Sequence, residues 1–357
     1  MTDNTKSMFE KLYKDSSGKM TYNFIEDPFE VLVDALGPEY VEYRKNWMKA
    51  CDHDLITEFP LHLNIALRDK CNFSCNSCVL SVPVKDRKFK PAGGIIPLSE
   101  FKKMISEYVK KGLASIDFGA ISEPTLVPNL ADYVRVAKEC GVIDVMFTTN
   151  ASMLTKKMSE DLIKAGLTWI SFSIDAFSKP IFNQLRIGGN YDEVIANILT
   201  FLEVKKELNA SLPITRVSFL KTKVNIHELP DFEKFWEKRV NVVSLQDLVN
   251  SHVGYQSETN FANSLSVKKK VTEEPIPDDL LLCAYPYQRL VVRANGDVLP
   301  CCSFHGYEFV LGNTKTDNLG ELWNSDKFKQ LRKDINSPNF DEKPEICKKC
   351  ILSRNQS

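Results

Sequence analysis

The sequence contains no apolar run approaching the roughly 18 consecutive residues that suggest a membrane span. Its opening, MTDNTKSMFEKLYK, has no apolar signal core. It also lacks a charge surplus, since 46 basic side chains face 47 acidic ones. A general nucleic-acid binder needs a basic excess to neutralise phosphates, so none is expected here. Histidine is scarce, with five residues, and none stands at metal-ligand spacing. Internal repeats and low-complexity tracts are missing. We therefore expect a cytoplasmic protein with no membrane or nucleic-acid partner, which leaves small molecules and peptides as substrates. The 357 residues, 43% hydrophobic, are ample for one large domain and a smaller one.

Cysteine is what the sequence has in plenty, with ten residues. In a reducing compartment clustered thiols serve metal or redox chemistry rather than disulfides. Cys71, Cys75 and Cys78 form one group, and Cys283, Cys301, Cys347 and Cys350 a second; Cys51, Cys140 and Cys302 are left over. Around them the hydrophobic pattern predicts an α/β fold. Residues 1–60 read as a helical extension, broken at Gly37-Pro38. From 61 to 248 short apolar runs alternate six times with amphipathic helices, beginning LHLNIAL and ending NVVSLQDL. That order predicts parallel strands joined by right-handed crossovers. Six units suit a partial (β/α)6 TIM-like barrel or a doubly wound sheet, and either places chemistry at the C-terminal strand ends. Residues 250–280 are polar and aperiodic, a linker or lid between domains. The tail, 281–357, holds a hairpin, LVVRANGDVLP, whose Asn295-Gly296 signals a tight turn.

The segment CNFSCNSC places Cys71, Cys75 and Cys78 at C-x3-C-x2-C spacing directly after the first strand. Three thiolates on one short loop can hold three corners of a cubane iron–sulfur cluster, leaving the fourth iron open to chelate a substrate or cofactor. A zinc site with a distant fourth ligand, or three neighbouring core cysteines, would give the same spacing.

This motif at the end of a first strand resembles the radical S-adenosylmethionine (SAM) superfamily, and further segments match in order over roughly 61–248. Ser122-Glu123-Pro124 is similar to the family's Gly-Glu-Pro motif, which receives the amino group of SAM, with Ser122 in place of the glycine. Thr149-Asn150 ends the third strand. Ser173, in SFSID, and Arg186, in QLRIGG, resemble the residues that contact the SAM carboxylate. A guanidinium suits that task because its planar fork pairs with a carboxylate. The resemblance thus assigns Glu123, Asn150, Ser173 and Arg186 to SAM. Ser77 stands where the family often has an aromatic residue near the adenine. Taken singly, Glu123 is also a plausible helix-start carboxylate and Arg186 a solvated surface charge.

In the tail, Cys283 and Cys301 flank the hairpin, and Cys347 and Cys350 form a late C-x2-C pair. Four thiolates close a site that tetrahedral zinc would accept as readily as a cluster. Beside a radical SAM core, the tail resembles the SPASM/twitch extension, including LGNTKTDNLGELWNSDKFKQLR between the cysteines. That implies one auxiliary 4Fe-4S cluster on Cys283, Cys301, Cys347 and Cys350. The resemblance divides the chain into a partial barrel at 61–249, a linker or lid at 250–280 and a hairpin-plus-helix iron–sulfur domain at 281–357. In several family members the residue just after the corresponding cluster ligand points into the active site, and Cys302 stands at that position. A thiol there could return a hydrogen atom to a carbon radical; Cys302 is otherwise a small buried residue or an alternative ligand to Cys301.

What the resemblance implies is an oxidoreductase or epimerase with two 4Fe-4S clusters. One binds SAM, which is cleaved reductively to a 5′-deoxyadenosyl radical that takes a hydrogen atom from an unactivated C–H bond. The expected substrate is a polar small molecule of sugar or aminocyclitol type, ending in epimerisation or dehydrogenation. The expected partner is a reductant such as flavodoxin or ferredoxin. Modification of a ribosomal peptide is the alternative within the superfamily, and a non-catalytic metal-binding scaffold the alternative outside it.

Overall fold

The computed structural model describes residues 20–24, 27–90, 92–255, 257–266, 276 and 281–355. Ten strands form one sheet, in the order β1-β7-β6-β5-β4-β3-β2-β8-β9-β10. They are β1 (Met20–Phe24), β2 (His62–Ile65), β3 (Ser115–Asp117), β4 (Asp144–Thr149), β5 (Trp169–Ser173), β6 (Ile214–Lys221), β7 (Val242–Asp247), β8 (Arg289–Val292), β9 (Asp297–Leu299) and β10 (Gly312–Asn313). Strands β2 to β7 are consecutive and parallel, the six units expected from the sequence. The sheet does not close into a barrel.

The helices preceding the sheet are α1 (Pro28–Leu36) and α2 (Pro38–Cys51). Those of the crossovers are α3 (Leu98–Val109), α4 (Leu130–Glu139), α5 (Lys156–Lys164), α6 (Lys179–Leu185), α7 (Tyr191–Glu207) and α8 (Leu229–Trp236). After β7 come α9 (Glu258–Leu265), α10 (Tyr285–Gln288), α11 (Leu319–Asn324), α12 (Asp326–Ile335) and α13 (Glu345–Asn355). Apolar spacing explains why the crossover helices form where they do. On α7, Val194, Ile198, Phe201 and Val204 recur on one face and are buried against the sheet. The hydroxyl of Thr155 accepts from the Met158 amide at 3.2 Å and caps α5.

Each strand presents one face to these helices and the other to the lumen. In β2, Leu63 and Ile65 are buried in the main core, whereas His62 and Asn64 point the opposite way. That inner face is polar: His62 Nδ1 lies 2.8 Å from Ser115 Oγ, and Asn64 Nδ2 donates to Asp117 Oδ2 at 3.0 Å. Helices α1 and α2 stopper one end of the lumen with Phe29, Leu32, Tyr40, Tyr43 and Trp47, which pack with Trp169, Ile214 and Val242. Trp47 meets the His62 ring edge-on at 5.8 Å, and the Arg289 guanidinium lies 5.0 Å above the Trp47 ring.

Three features differ from the sequence reading. The extension, expected to be helical, contributes a strand as well: β1 pairs antiparallel with β7 and covers that sheet edge. Residues 1–19 of that extension lie outside the described residues. The hairpin of the tail is continuous with the main sheet, because β8 pairs in parallel with β2. The segment expected to be a linker or lid contains α9, with Phe261 and Leu265 buried against Leu185 and Leu248; residues 267–275 and 277–280 of it are outside the description. Trp47→Ala removes a large ring from the stopper and is expected to cost roughly 3 kcal/mol of stability, measured by anaerobic denaturant unfolding.

Candidate active site

The loop after β2 carries the first three cysteines, and it is clamped to the segment that carries Arg186. Ser74 N donates to Ile187 O at 2.9 Å, Asn76 N to Leu185 O at 3.2 Å, and Asn76 Nδ2 to Gln184 O at 2.9 Å. The clamp needs a glycine: a Cβ on Gly189 would lie 2.6 Å from the Phe73 ring. Amides orient the thiols, with Phe73 N 3.4 Å from Cys71 Sγ and Leu80 N 3.5 Å from Cys78 Sγ. Burial pushes Cys71 up to about 11 and Cys78 up to about 12, and each is raised further by neighbouring thiols of the trio. Thiolates persist here only against a positive centre.

Arg186 supplies part of that positive charge. Its Nη1 lies 3.7 Å from Cys75 Sγ and its Nη2 2.6 Å from Asp175 Oδ2, while its Nε is buried with no hydrogen-bond partner. Asp175 is fixed in turn, accepting from the Leu220 amide at 2.9 Å. An orphaned guanidinium donor beside the thiol trio fits an incoming carboxylate. Ser173, at the end of β5, lines the same cavity as Arg186.

Glu123 lies behind the trio, 2% exposed. Its Oε1 accepts from Thr125 N at 3.1 Å, Thr125 Oγ1 at 2.6 Å and Thr149 Oγ1 at 2.6 Å. Its Oε2 accepts from Asn150 N at 2.7 Å. The carboxylate therefore ties the loop after β3 to the end of β4, and Oε2 retains an acceptor position. Asn150 carries the link onward: its Nδ2 lies 2.9 Å from Asn72 Oδ1 and 3.9 Å from Cys71 Sγ.

Cys283, Cys301, Cys347 and Cys350 line the same cavity as Arg186 and Ser173. Burial pushes Cys283 up to about 11 and Cys301 well above its ordinary range, the charges of the companion thiols adding to both. Ser303 Oγ donates to Cys350 Sγ at 3.4 Å. Gly306 is required against Cys301, since a Cβ there would lie 2.6 Å from its sulfur. Three thiols on one loop and four in the tail are donor sets that fit iron–sulfur clusters.

One cavity of about 460 Å³ is lined by Cys78 and Arg186 together with the second cysteine group and Cys302. Cys302 Sγ lies 3.7 Å from Arg289 Nη1 and is separate from the Ser303–Cys350 contact. Sequence reasoning missed two neighbours of this site. His252, in the expected linker, lies 3.3 Å from the Cys78 carbonyl and 3.0 Å from Ser81 Oγ; nearby Asn250 N donates to Ser353 O at 3.1 Å. That strap joins the first cysteine loop to α13, and a lone histidine without ligand spacing gave no signal for it. Asp117 is the second, on the polar face of β3.

Burial pushes Asp117 up to about 6, against the opposing charges of Arg289 and Arg216. A carboxyl whose pKa is raised by folding binds its proton more tightly in the folded state, so stability falls as pH rises from about 4 to about 6. Asp117→Asn is expected to leave stability unchanged at pH 4 and to raise it by as much as ~3 kcal/mol at pH 7, read by unfolding at both values.

Comparison with known proteins gives the site a family. The radical SAM superfamily profile matches residues 66–235, and the SPASM iron–sulfur cluster-binding domain profile matches residues 283–351, together more than half of the chain. A Pyrococcus furiosus protein described as a tungsten-containing aldehyde ferredoxin oxidoreductase cofactor-modifying protein is 24% identical over 302 residues, covering 76% of this chain and 83% of that one. The GTP 3′,8-cyclase of Limosilactobacillus fermentum is 30% identical over 140 residues, 39% of this chain and 41% of the cyclase. Among solved structures, BtrN with AdoMet and 2-DOIA superposes with a TM-score of 0.53 at 19% identity, covering 82% of this chain and 93% of that one. The anSMEcpe enzyme with AdoMet and the Cp18Cys peptide gives 0.55 at 17% identity, covering 82% and 88%. These two likenesses show the fold. No helix among the described residues is long and apolar enough to cross a membrane. With both profiles in their expected order on this α/β scaffold, the chain belongs to the radical SAM superfamily and carries a C-terminal SPASM domain, and so is an enzyme that uses SAM and 4Fe-4S clusters, one of them auxiliary.

Proposed function

We propose that this enzyme removes a hydrogen atom from an unactivated C–H bond of a polar small molecule, of sugar or aminocyclitol type, and ends in epimerisation or dehydrogenation. The observation that supports this reading is one cavity of about 460 Å³, lined by Cys78 of the first cysteine group and by all four cysteines of the second, with Ser173, Asp175, Ser218, Gln246 and Asp247 on or just after β5, β6 and β7. A volume of that order suits a small ligand. Ser173 and Ser218 line it. Two residues back on the same strand face, Ser171 accepts from Arg216 Nε at 2.5 Å. The polar side chains on these strands offer hydrogen bonds to hydroxyl or amino groups, while Leu220, Leu281, Phe304, Ile335 and Ile346 give the rest of the cavity an apolar lining. The resemblance to BtrN with 2-DOIA agrees with a small molecule, whereas the likeness to anSMEcpe with its peptide keeps peptide modification as the competing outcome.

In this reading Cys71, Cys75 and Cys78 hold the SAM-binding cluster, and Cys283, Cys301, Cys347 and Cys350 hold the auxiliary one. When bound, the cofactors supply reductive cleavage of SAM, hydrogen-atom abstraction and a one-electron acceptor. Arg186 offers its free Nε to the SAM carboxylate while Asp175 keeps the guanidinium plane fixed, and Ser173 adds a hydroxyl at the same wall. Glu123 holds the turn at Asn150 and leaves one acceptor position on Oε2 for the amino group. Cys302 lines the same cavity, where its S–H can give a hydrogen atom to the face of the substrate opposite abstraction; the resulting thiyl radical then requires one electron and one proton. A flavodoxin- or ferredoxin-type protein supplies the electrons.

Anaerobically reconstituted protein given SAM and dithionite is expected to release 5′-deoxyadenosine without substrate. Replacing Cys71, Cys75 and Cys78 together by alanine should reduce that release to background and remove one cluster's iron. Stoichiometric zinc with little iron and no 5′-deoxyadenosine would instead identify a non-catalytic scaffold. Cys302→Ala is expected to cleave SAM at close to the normal rate yet fail to deliver solvent-derived deuterium to product from aminocyclitol or sugar substrates in deuterated buffer. Normal deuterated product from that variant would remove Cys302 from the mechanism.

A further inference from the structure

Lys343 is 3% exposed, stands four residues before Cys347 and lines the same cavity as Cys283, Cys301, Cys347 and Cys350. A buried ammonium is costly unless its protons and its charge are both satisfied. Its protons are: Nζ donates to Leu281 O at 2.8 Å, to Ser337 O at 2.6 Å and to Ile335 O. Two carbonyls at and just after the end of α12 and one from the segment before Cys283 thus lock the nitrogen in place. Its charge is not met by any described carboxylate, since Lys343 takes part in none of the ion pairs among the described residues. Burial pulls its pKa down, and the opposing influences are the negative charges of Cys347 and Cys283. Arg354 is a second cation acting on those two cysteines, and Arg289 acts on Cys283.

We propose that Lys343 is the fixed counter-charge of the auxiliary site, offsetting the negative charge of a cluster on Cys283, Cys301, Cys347 and Cys350 and raising its midpoint potential. This rests on the reading that those four cysteines hold a 4Fe-4S cluster. Reduction adds one negative charge to the cluster, and a cation held nearby in a water-poor environment stabilises the reduced form more than the oxidised one. The Ser303 hydroxyl directed at Cys350 Sγ acts in the same direction. Because the ammonium is anchored by backbone oxygens and not by a carboxylate, its charge is not cancelled at source. Lys343 therefore acts on the cluster through its field and is a positioning residue.

The test is an EPR-monitored redox titration of the anaerobic holoenzyme, with the first cluster as internal control. Lys343→Met is expected to shift the auxiliary midpoint to a more negative potential, leaving the first cluster's midpoint and the total iron unchanged. Lys343→Arg, which keeps the charge, is expected to restore the wild-type value. An unshifted auxiliary midpoint in Lys343→Met with full iron overturns the proposal. Should Lys343→Met lose the auxiliary iron, Lys343→Gln keeps a donor for the carbonyls without the charge. Iron retained in Lys343→Arg but lost in both neutral variants supports a counter-charge, and iron lost in all three assigns Lys343 to structure alone. A wild-type protein with one cluster and zinc in the tail would refute the reading of the four cysteines, a result distinct from any of these.

Discussion

Ten buried or half-buried thiols without disulfides, seven of them in two groups, are the constraint from which the rest of this structure follows. A thiol taken out of water stays protonated, and burial raises Cys71, Cys78 and Cys283 to about 11 or 12. Such groups become ligands only when a positive metal centre replaces their protons. The surrounding cations are arranged accordingly: Arg186 beside Cys75, and Lys343 and Arg354 beside the second group. Charge that would be expensive in an apolar core is balanced around one cavity.

The fold holds the two cysteine groups in fixed relation. Pairing of β8 with β2 makes the tail part of the same sheet that carries the first cysteine loop. Arg293, 4% exposed at its side chain, adds an ion pair with Asp69 just before that loop, and Tyr307 Oη accepts from the Ile121 amide at 3.1 Å on the loop leading to Glu123. From the other end His53, which follows α2, stacks on Tyr287 at 4.3 Å and lies 3.2 Å from the Cys283 carbonyl. The N-terminal helices therefore both stopper the lumen and brace the tail. An active site that must exclude water gains from walls built this way.

Much of this was legible from the sequence because its signals are local. The six short apolar runs from LHLNIAL to NVVSLQDL, with helical spacing between them, needed no long-range information, and β2 to β7 fall inside those runs to within a residue. The turn at Asn295-Gly296 identified the hairpin before its partner strand was known. Long-range pairing left no such trace. Nothing in MTYNF distinguishes a strand that covers β7 from a stretch of extension, and RLVV does not announce that it will join β2 in parallel. At the site, cysteine spacing located the thiol groups, yet the engagement of Glu123 with Thr125, Thr149 and Asn150 depends on loops from two different strands. Asp117, His252 and Lys343 were missed for the same reason. Each acquires its role from burial beside a distant segment, and an isolated Asp, His or Lys in sequence reads as solvated surface.

The central claim is that the trio on the first loop leaves one iron vacant for the sulfonium cofactor. EPR spectroscopy of the reduced, oxygen-free protein tests it most directly, with and without SAM, in a form whose second group has been replaced so that a single cluster contributes. Addition of SAM should alter the g-values of that signal, as coordination at an open vertex requires. A spectrum indifferent to the cofactor would contradict the account.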